Sequence, residues 1–531
     1  MQQPVTPSDT MRERNRAFSP WTDIDKVVVC FSLLAVALRL VFWNYTHLLW
    51  EDGLITLSSA QNLWDGLGLT GHTGEAPVYS FSSPLAAIIL VVGEAFSHGM
   101  FLMRVLSIAS AVLSIYYAAG ILRECSANRV SLFACLAYLA CDHLLILFGM
   151  GGMETQIAAT LALATAYYCM TRQFLLFGLA GGLAVLARLE LALVPAICYL
   201  YLAYLALNRK ISGLSVVKSV SATAAICLPW VIFTWIYYGS PVPQTVNVKK
   251  WMTGPIRLDL HAFVDHTRLF WEQIAPFREF PLTVSTPVPD AALLLIVLLV
   301  VSVFLIGTVV GVYKRSKILL LAIPTILFYL YHAIYNIDKY YPWYIPPFFA
   351  MFFVVVGFGF SAIAQKARVA AVILSGIVGI AFAAPFFFCL NTDRLWQQDI
   401  ETGIRHRVGE ELNIMMKPGQ SVVLEPLGYI GGPVRTKVIY DKPGLGSKIA
   451  FDAYKKYGWG MIDEIKPDFV VLRKKEVKYI DENMPAVLSP YERVAHIYNS
   501  VPDTFGSNCV TYNVGQETDF SIYKRIQYAL K

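Results

Sequence analysis

Charged residues are scarce in this chain. They make up 15% of its 531 residues, whereas about 25% is usual in soluble proteins. Hydrophobic residues make up 56%, and long apolar runs recur until residue 389 and then stop. This composition excludes an ordinary soluble protein and predicts a polytopic membrane protein with one soluble tail.

Cysteine pairs and a concentrated basic patch are also missing. The nine cysteines show neither a disulfide framework nor a metal-type spacing, and only Cys509 lies in the tail. Lysine and arginine occur in short clusters between apolar runs, so the net charge of +6 does not indicate a nucleic-acid partner. Such clusters usually set the orientation of a membrane protein.

Apolar segments near the length of a membrane span, about 20 residues, recur along the first part of the chain. Eleven are predicted as spans: residues 27–45, 100–122, 130–148, 155–171, 174–188, 191–207, 219–237, 291–312, 317–335, 343–363 and 369–389. With the basic N-terminus inside, every predicted inner loop is short and basic, as the positive-inside rule expects. The prediction is an α-helical polytopic membrane protein with its N-terminus inside and its C-terminus outside.

This topology divides the chain into three regions. Residues 1–26 form a cytoplasmic tail, 27–389 form the transmembrane domain, and 390–531 form an external α/β domain, because short β-rich segments alternate there with helical ones. The transmembrane domain carries two long external loops, 46–99 and 238–290. Within the first, the apolar segment 84–97 is predicted as an interfacial or re-entrant helix, because a span there would invert the basic loops.

Polar residues collect on the external side. Glu51 and Asp52 open the first loop, Glu154 lies at a short turn, and Arg188 and Glu190 lie at another. Two later external segments contain Lys249, Lys250, His266, Asp338 and Lys339. Each has a simpler explanation alone, such as a structural ion pair for Arg188 and Glu190, and the aromatic residues around 340–344 suit an interfacial belt. Because all of these residues are predicted to lie on the external face, we expect them to form a functional site.

Sugar transfer from a polyprenyl-phosphate carrier uses such a set of groups. A carboxylate takes the proton of the acceptor hydroxyl, which predicts Asp52 as general base and Glu51 as assistant or alternative base. Cations stabilise the departing lipid phosphate; the candidates are Lys249, Lys250, Arg188 and Lys339. The candidates for binding sugar are Glu154, Glu190, Asp338 and His266. No cofactor is certain, although a second carboxylate could help hold a divalent metal ion.

Several motifs also follow one another in a recognisable order. They are Glu51-Asp52, Ser82-Ser-Pro84, Gly152-Met-Glu-Thr155, Ala187-Arg-Leu-Glu190, Tyr238-Gly-Ser-Pro-Val-Pro-Gln-Thr245 and Pro426-Leu-Gly-Tyr-Ile-Gly431. The series resembles GT-C fold glycosyltransferases, in particular the polyprenyl-phosphate-dependent family that contains the mycobacterial terminal arabinofuranosyltransferases. The resemblance implies the GT-C fold, interfacial helices in the first loop, and inverting transfer with Asp52, together with Glu51, in the acidic position of that loop.

The predicted function is therefore transfer of one sugar at the outer face of a bacterial inner membrane. The first candidate sugar is D-arabinofuranose and the second is mannose or another hexose. The acceptor is a cell-envelope polysaccharide, a lipooligosaccharide or a protein. Three alternatives stay open: a transporter or flippase of lipid-linked sugar, with ionisable residues along a path through the membrane; a non-catalytic scaffold; and a transferase of whole oligosaccharides from a lipid diphosphate.

Overall fold

The computed structural model describes residues 23–253, 290–334, 342–499 and 517–526. Helices, most of them apolar, make up most of the described chain up to residue 395. They are α1 (Asp23–Thr46), α2 (Glu51–Trp64), α3 (Pro84–Glu94), α4 (Gly99–Glu124), α5 (Val130–Cys141), α6 (His143–Met150), α7 (Thr155–Met170), α8 (Phe174–Ala187), α9 (Leu193–Leu207), α10 (Gly213–Tyr238), α11 (Gln244–Thr253), α12 (Asp290–Tyr313), α13 (Leu319–Ile334), α14 (Ile345–Ala364) and α15 (Arg368–Leu395).

Each predicted span contains helical structure, and the protein is a multi-pass membrane protein. Within the described residues, eight helical segments are long and apolar enough to cross a bilayer. The other three predicted spans hold shorter helices: α7 with 16 residues, α8 with 14 and α13 with 16. The hydropathy pattern therefore located the helices, although these three are shorter than the usual span of about 20 residues.

Helix α3 occupies the segment predicted to lie at the interface. Its 11 residues extend roughly 16 Å at 1.5 Å per residue, which is about half of the hydrocarbon thickness. Ser83 caps its first turn by accepting a hydrogen bond from the backbone of Ala86, and Pro84 occupies the first helical position, where a missing N–H costs nothing. A helix of this length agrees with the interfacial placement.

The third predicted span is broken into α5 and α6. Asp142 ends α5 and caps α6 by accepting a hydrogen bond from the backbone N–H of Leu145. The break frees carbonyl groups near the end of α5, and the fully buried Arg39 of α1 donates to two of them, at 3.1 Å (Ala140) and 3.4 Å (Leu139). The terminal nitrogen that donates to Leu139 also lies 2.6 Å from Gln156 Oε1. One guanidinium thus joins α1, α5 and α7.

The described residues of the C-terminal domain form a five-stranded sheet with helices. A π-helix (Trp396–His406) and α16 (Arg407–Met415) lead from α15 into it. Its strands are β1 (Ser421–Leu424), β2 (Val438–Asp441), β3 (Phe469–Arg473), β4 (Tyr491–Tyr498) and β5 (Asp519–Arg525), in the order β2-β1-β3-β5-β4. β1 is parallel to β2 and β3, whereas β5 is antiparallel to β3 and β4.

Helices complete the α/β character that the sequence predicted. They are α17 (Lys448–Tyr457), α18 (Met461–Ile465) and α19 (Lys474–Asn483). All five residues of β3 are buried, as expected for an apolar strand in the middle of a sheet. Residues from α17, α18 and α19 pack with Val470 and Leu472 in one apolar cluster.

The loop that was predicted to be external, residues 46–99, is bound to this domain along much of its length. Arg435 pairs with Asp65 at 2.6 Å and donates to Asn62 at 2.6 Å. Farther along the loop, Thr73 forms a parallel bridge with Val438 of β2. Gly74 has a φ of +105°, and a side chain there would collide with Val438, so only glycine fits. The loop therefore lies between the helical bundle and the sheet.

Replacing Arg39 with methionine is expected to lower the free energy of unfolding by about 1–3 kcal/mol, because carbonyl groups and Gln156 lose a charged donor. The measurement is thermal or denaturant unfolding of the purified protein in detergent micelles. Arg368→Met is the control, since Arg368 is exposed at the start of α15 and should tolerate the change. An equal loss in both variants would contradict the structural role of Arg39.

Candidate active site

The site begins where α2 starts, because this helix opens with two adjacent acids, Glu51 and Asp52. Negative charge in a first helical turn is stabilised by the unpaired N–H groups there. The preceding residue, Trp50, is extended and donates its backbone N–H to Gly151 at 2.7 Å. Its ring contacts Phe148 and Trp343 edge-on, with centroids 4.8 and 5.8 Å away. These contacts attach the start of α2 to the turn between α6 and α7.

Glycines allow this turn to approach α2 closely. A Cβ on Gly53 would lie 3.1–3.2 Å from the carbonyl groups of Gly151 and Gly152, so a larger residue would push the two segments apart. Gly152 has a φ of +95°, in the region that favours glycine. The turn then continues into Glu154, which comes near enough to Asp52 for their charges to interact.

Glu51 faces away from the other candidate residues. The backbone N–H groups of Gly428 and Tyr429, in the C-terminal domain, both donate to its carboxylate. Burial raises the pKa of Glu51 to about 8, against the opposing effects of Arg405 and of the two N–H groups, while Glu401 raises it further. Both carboxyl oxygens of Glu51 therefore already accept hydrogen bonds from the protein backbone.

Asp52 is half-buried, and its carboxylate accepts no hydrogen bond from any side chain or backbone group in the described part of the chain. Burial raises the pKa of Asp52, while the positive charges of Lys249 and Arg188 lower it. Of the two acids that open α2, Asp52 is thus the one whose oxygens remain available to a substrate.

Arg188 forms the centre of a buried ion cluster. Helix α8 ends at Ala187, and Arg188 is extended before a 3₁₀ turn (Leu189–Ala192). The guanidinium lies 2.8 Å from Glu154 Oε1 and 3.2 Å from Glu190 Oε1. Burial raises the pKa of Glu154 and Arg188 opposes that shift. Glu190 is the more accessible acid, at 21% exposure against 6% for Glu154.

Lys249 enters the cluster from α11. Its Nζ donates to the hydroxyl of Tyr344 at 2.9 Å and lies 5.0 Å from the centre of that ring. The guanidinium of Arg188 lies 4.8 Å from the same ring, so one aromatic side chain contacts both cations, an arrangement that the ring quadrupole stabilises. Lys250 follows on α11 and is exposed.

Sequence reasoning missed the part that Trp343 and Tyr344 take in this site. They fall in the segment predicted as an interfacial belt, yet both are half-buried and contact Lys249. The sequence did offer a signal, because these aromatic residues follow a segment that was already predicted to hold substrate-binding groups. The choice between a belt and a cation contact depended on where Lys249 lies, which is a tertiary feature.

The structure brings together five of the predicted residues: Asp52, Glu154, Arg188, Glu190 and Lys249. Glu51 is adjacent in sequence but faces the C-terminal domain. Lys339, Asp338 and His266 lie outside the described residues. Among the residues that the structure describes, no group of three or more His, Cys, Asp or Glu side chains could hold a metal ion.

Two pockets, of about 340 and 300 Å³, lie at the predicted inner ends of the helices, around Glu124 and Lys317 and around Arg123 and Tyr167. Neither is lined by a residue of the candidate site. The candidate site is therefore identified by its contacts and charges and not by a cavity. It consists of the available carboxylate of Asp52, the two nearby cations Lys249 and Arg188, and the two carboxylates that pair with Arg188.

Comparison with known proteins identifies similar folds at low sequence identity. No protein-family model matches the chain, and no curated protein matches it significantly in sequence. ArnT from Cupriavidus metallidurans, bound to undecaprenyl phosphate, aligns with a TM-score of 0.55 and 12% identity, covering 94% of this chain and 98% of that one. Its apo form aligns with a TM-score of 0.56 and 11% identity, covering 95% and 99%.

An archaeal protein aligns at a similar level. The oligosaccharyltransferase AglB from Archaeoglobus fulgidus, in complex with an inhibitory peptide and a dolichol-phosphate, gives a TM-score of 0.51 and 12% identity, covering 95% of this chain and 74% of that one. At these identities the alignments establish the fold.

Arg188→Met is expected to lower the free energy of unfolding by about 3–5 kcal/mol, because the buried Glu154 then loses its cation. Lys317→Met is the matched control. Lys317 and Glu124 form a pair at 3.2 Å, but both side chains are more than 30% exposed, and such pairs contribute about 0–1 kcal/mol. Unfolding in detergent measures both variants, and similar losses would contradict the buried pairing.

Proposed function

The chain has the GT-C fold, and from it we propose that the protein is a membrane glycosyltransferase. It transfers one sugar from a polyprenyl-phosphate donor to a cell-envelope acceptor at the periplasmic face of a bacterial inner membrane. The observation that carries the proposal is the available carboxylate of Asp52, held beside Lys249 and Arg188 at the start of a helix outside the predicted spans. A hydroxyl that must lose a proton and a phosphate that must leave need these groups together.

The choice of donor is supported by the ligands of the similar structures. ArnT was solved with undecaprenyl phosphate and AglB with a dolichol-phosphate, which are both polyprenyl phosphates. The proposed sugar is D-arabinofuranose first and mannose or another hexose second. The acceptor is a cell-envelope polysaccharide, a lipooligosaccharide or a protein.

In the proposed reaction, the acceptor hydroxyl oxygen attacks the anomeric carbon of the donor sugar. Asp52 takes the hydroxyl proton while the new bond forms. The bond between the anomeric carbon and the phosphate oxygen breaks, and the lipid phosphate leaves with the electron pair. Because attack and departure occur on opposite faces of the sugar, the configuration at the anomeric carbon is inverted.

Lys249 and Arg188 supply positive charge for the departing phosphate. Such stabilisation is strongest when donors are held in place before the reaction, and the ring of Tyr344 contacts both cations. Lys250 and Lys339 remain further candidates for the phosphate. No step of this mechanism requires a metal ion.

The acids around Arg188 divide into two roles. Glu154 is almost fully buried and pairs at 2.8 Å with Arg188, so its role is to orient the guanidinium. Glu190 is more exposed and is proposed to bind a sugar hydroxyl. Asp338 and His266 remain candidates for the same task.

A transporter would place ionisable groups along a path through the membrane. The buried ionisable residues within the described spans are instead paired with neighbouring protein groups. Arg39 binds carbonyl oxygens and Gln156, and His143 lies 2.7 Å from Asp393 with both side chains buried. These contacts favour a structural role for the buried groups and therefore favour transfer over transport.

Asp52→Asn should lower the rate of transfer by about 10²–10⁴, since this is the usual contribution of a general base. The assay uses protein reconstituted in lipid vesicles with polyprenyl-phosphate arabinose and polyprenyl-phosphate mannose as alternative donors. Asp65→Asn is the control, because Asp65 ends the same helix and pairs with Arg435. A well-folded Asp52→Asn protein with full activity would rule out Asp52 as the base.

The dependence of the transfer rate on pH should reflect the burial of Asp52 and the charges around it. Because burial raises the pKa of this carboxyl, the rate should increase with pH above the ordinary aspartate value of about 3.9, as the base loses its proton. Lys249→Met removes the larger of the two lowering charges, so the acidic limb should move to still higher pH. kcat/KM measured against pH tests this, and a limb that stays in place or moves to lower pH would contradict it.

A further inference from the structure

The two acids that open α2 have different partners. Asp52 lies close enough to Lys249 and Arg188 for their charges to act on it, whereas Glu51 accepts hydrogen bonds from Gly428 and Tyr429 of the C-terminal domain. The fit around Glu51 is tight, because a Cβ on Gly428 would lie within 2.8 Å of two atoms of the Glu51 carboxyl group. Residue 428 must therefore be glycine for Glu51 to reach both backbone N–H groups.

The segment that binds Glu51 also holds the residues just before α2. The hydroxyl of Tyr429 lies 3.0 Å from the carbonyl oxygen of Leu49 and 2.9 Å from Gln397 Oε1. The same Gln397 oxygen accepts a hydrogen bond from the backbone N–H of Leu49 at 3.1 Å. Residues 49–51 are thus attached to the tail domain and to the π-helix at the same time.

We propose that Glu51 is a positioning residue, through which the C-terminal domain holds the start of α2 so that Asp52 faces Lys249 and Arg188. This inference rests on the proposed function. Successive residues of a helix point about 100° apart, so fixing the backbone at Glu51 also fixes the direction in which the Cα–Cβ bond of Asp52 points. A small displacement of a catalytic group can cost about 10² in rate, which makes such an attachment consequential.

A second carboxylate that joins the first loop to the C-terminal domain provides a control. Glu75, later in the first loop, accepts hydrogen bonds from the backbone N–H groups of Lys448 and Ile449 at 3.1 and 3.3 Å. These groups form the start of α17, and the nearest side-chain partner of Glu75 is His72 at 3.6 Å. Glu75 therefore joins the loop to the same domain without touching the start of α2.

The experiment compares Glu51→Gln and Glu75→Gln in the full-length protein reconstituted in lipid vesicles. At position 51 glutamine keeps one acceptor oxygen but presents an amide group to the second N–H, because Gly428 and Tyr429 donate to different oxygens. Glu51→Gln should lower kcat by about tenfold to hundredfold and leave KM for the polyprenyl-phosphate sugar within about twofold, because donor binding is not removed. Glu75→Gln should leave kcat unchanged.

Hydrogen–deuterium exchange supplies a readout that does not need turnover. Exchange in residues 48–56 should become faster in Glu51→Gln only, whereas exchange in residues 447–451 should stay unchanged in Glu75→Gln, because one glutamine oxygen can still accept both hydrogen bonds. Equal losses of kcat in the two variants, or an unchanged kcat in Glu51→Gln, would overturn the proposal.

Two further outcomes separate this inference from the proposed function. If the acidic limb of the kcat/KM profile disappears in Glu51→Gln while Asp52→Asn stays active, Glu51 is itself the base and the positioning role is wrong. If the wild-type protein transfers no sugar, the proposed function fails. The exchange measurement then still decides whether Glu51 holds the start of α2.

Discussion

The arrangement of the site depends on a buried ion pair. Arg188 can remain charged inside the protein only because Glu154 and Glu190 surround it, since an unpaired buried charge is very costly. The pair joins the end of α8 to the start of α7, and Tyr344 covers the guanidinium from a third segment. Several short turns, each with little stability of its own, are thereby held at one end of the helical bundle.

The start of α2 is placed against this cluster by close packing of backbone. Gly53 allows the first turn of α2 to lie on the glycine turn that precedes Glu154, and Trp50 extends the contact toward Trp343. The result is a separation of roles between neighbouring acids. Glu51 is bound by the tail domain, and Asp52 is left near Lys249 and Arg188, whose charges act on its carboxyl group.

Much of the fold was predictable from the sequence because few backbone structures are stable in a lipid bilayer. Backbone groups in hydrocarbon must be hydrogen-bonded within the segment, so long apolar runs indicate helices, and basic loops indicate orientation. The shortness and acidity of residues 84–97 predicted a helix that does not span, and the 11 residues of α3 agree with that prediction. The turn at Arg188 was predictable for the same reason, since a charged residue in the middle of an apolar run rarely stays there unpaired.

The amino-acid sequence alone was thus sufficient to predict the helical membrane domain, the α/β tail and the acidic start of the first loop. These features follow from local composition and periodicity. The tertiary structure decided which acid is available, because Glu51 and Asp52 are equivalent until Gly428 and Tyr429 approach from more than 370 positions away in the chain. It also decided that Tyr344 contacts two cations and that Arg39 binds the broken end of α5. Such contacts join residues distant in sequence, and periodicity carries no information about them.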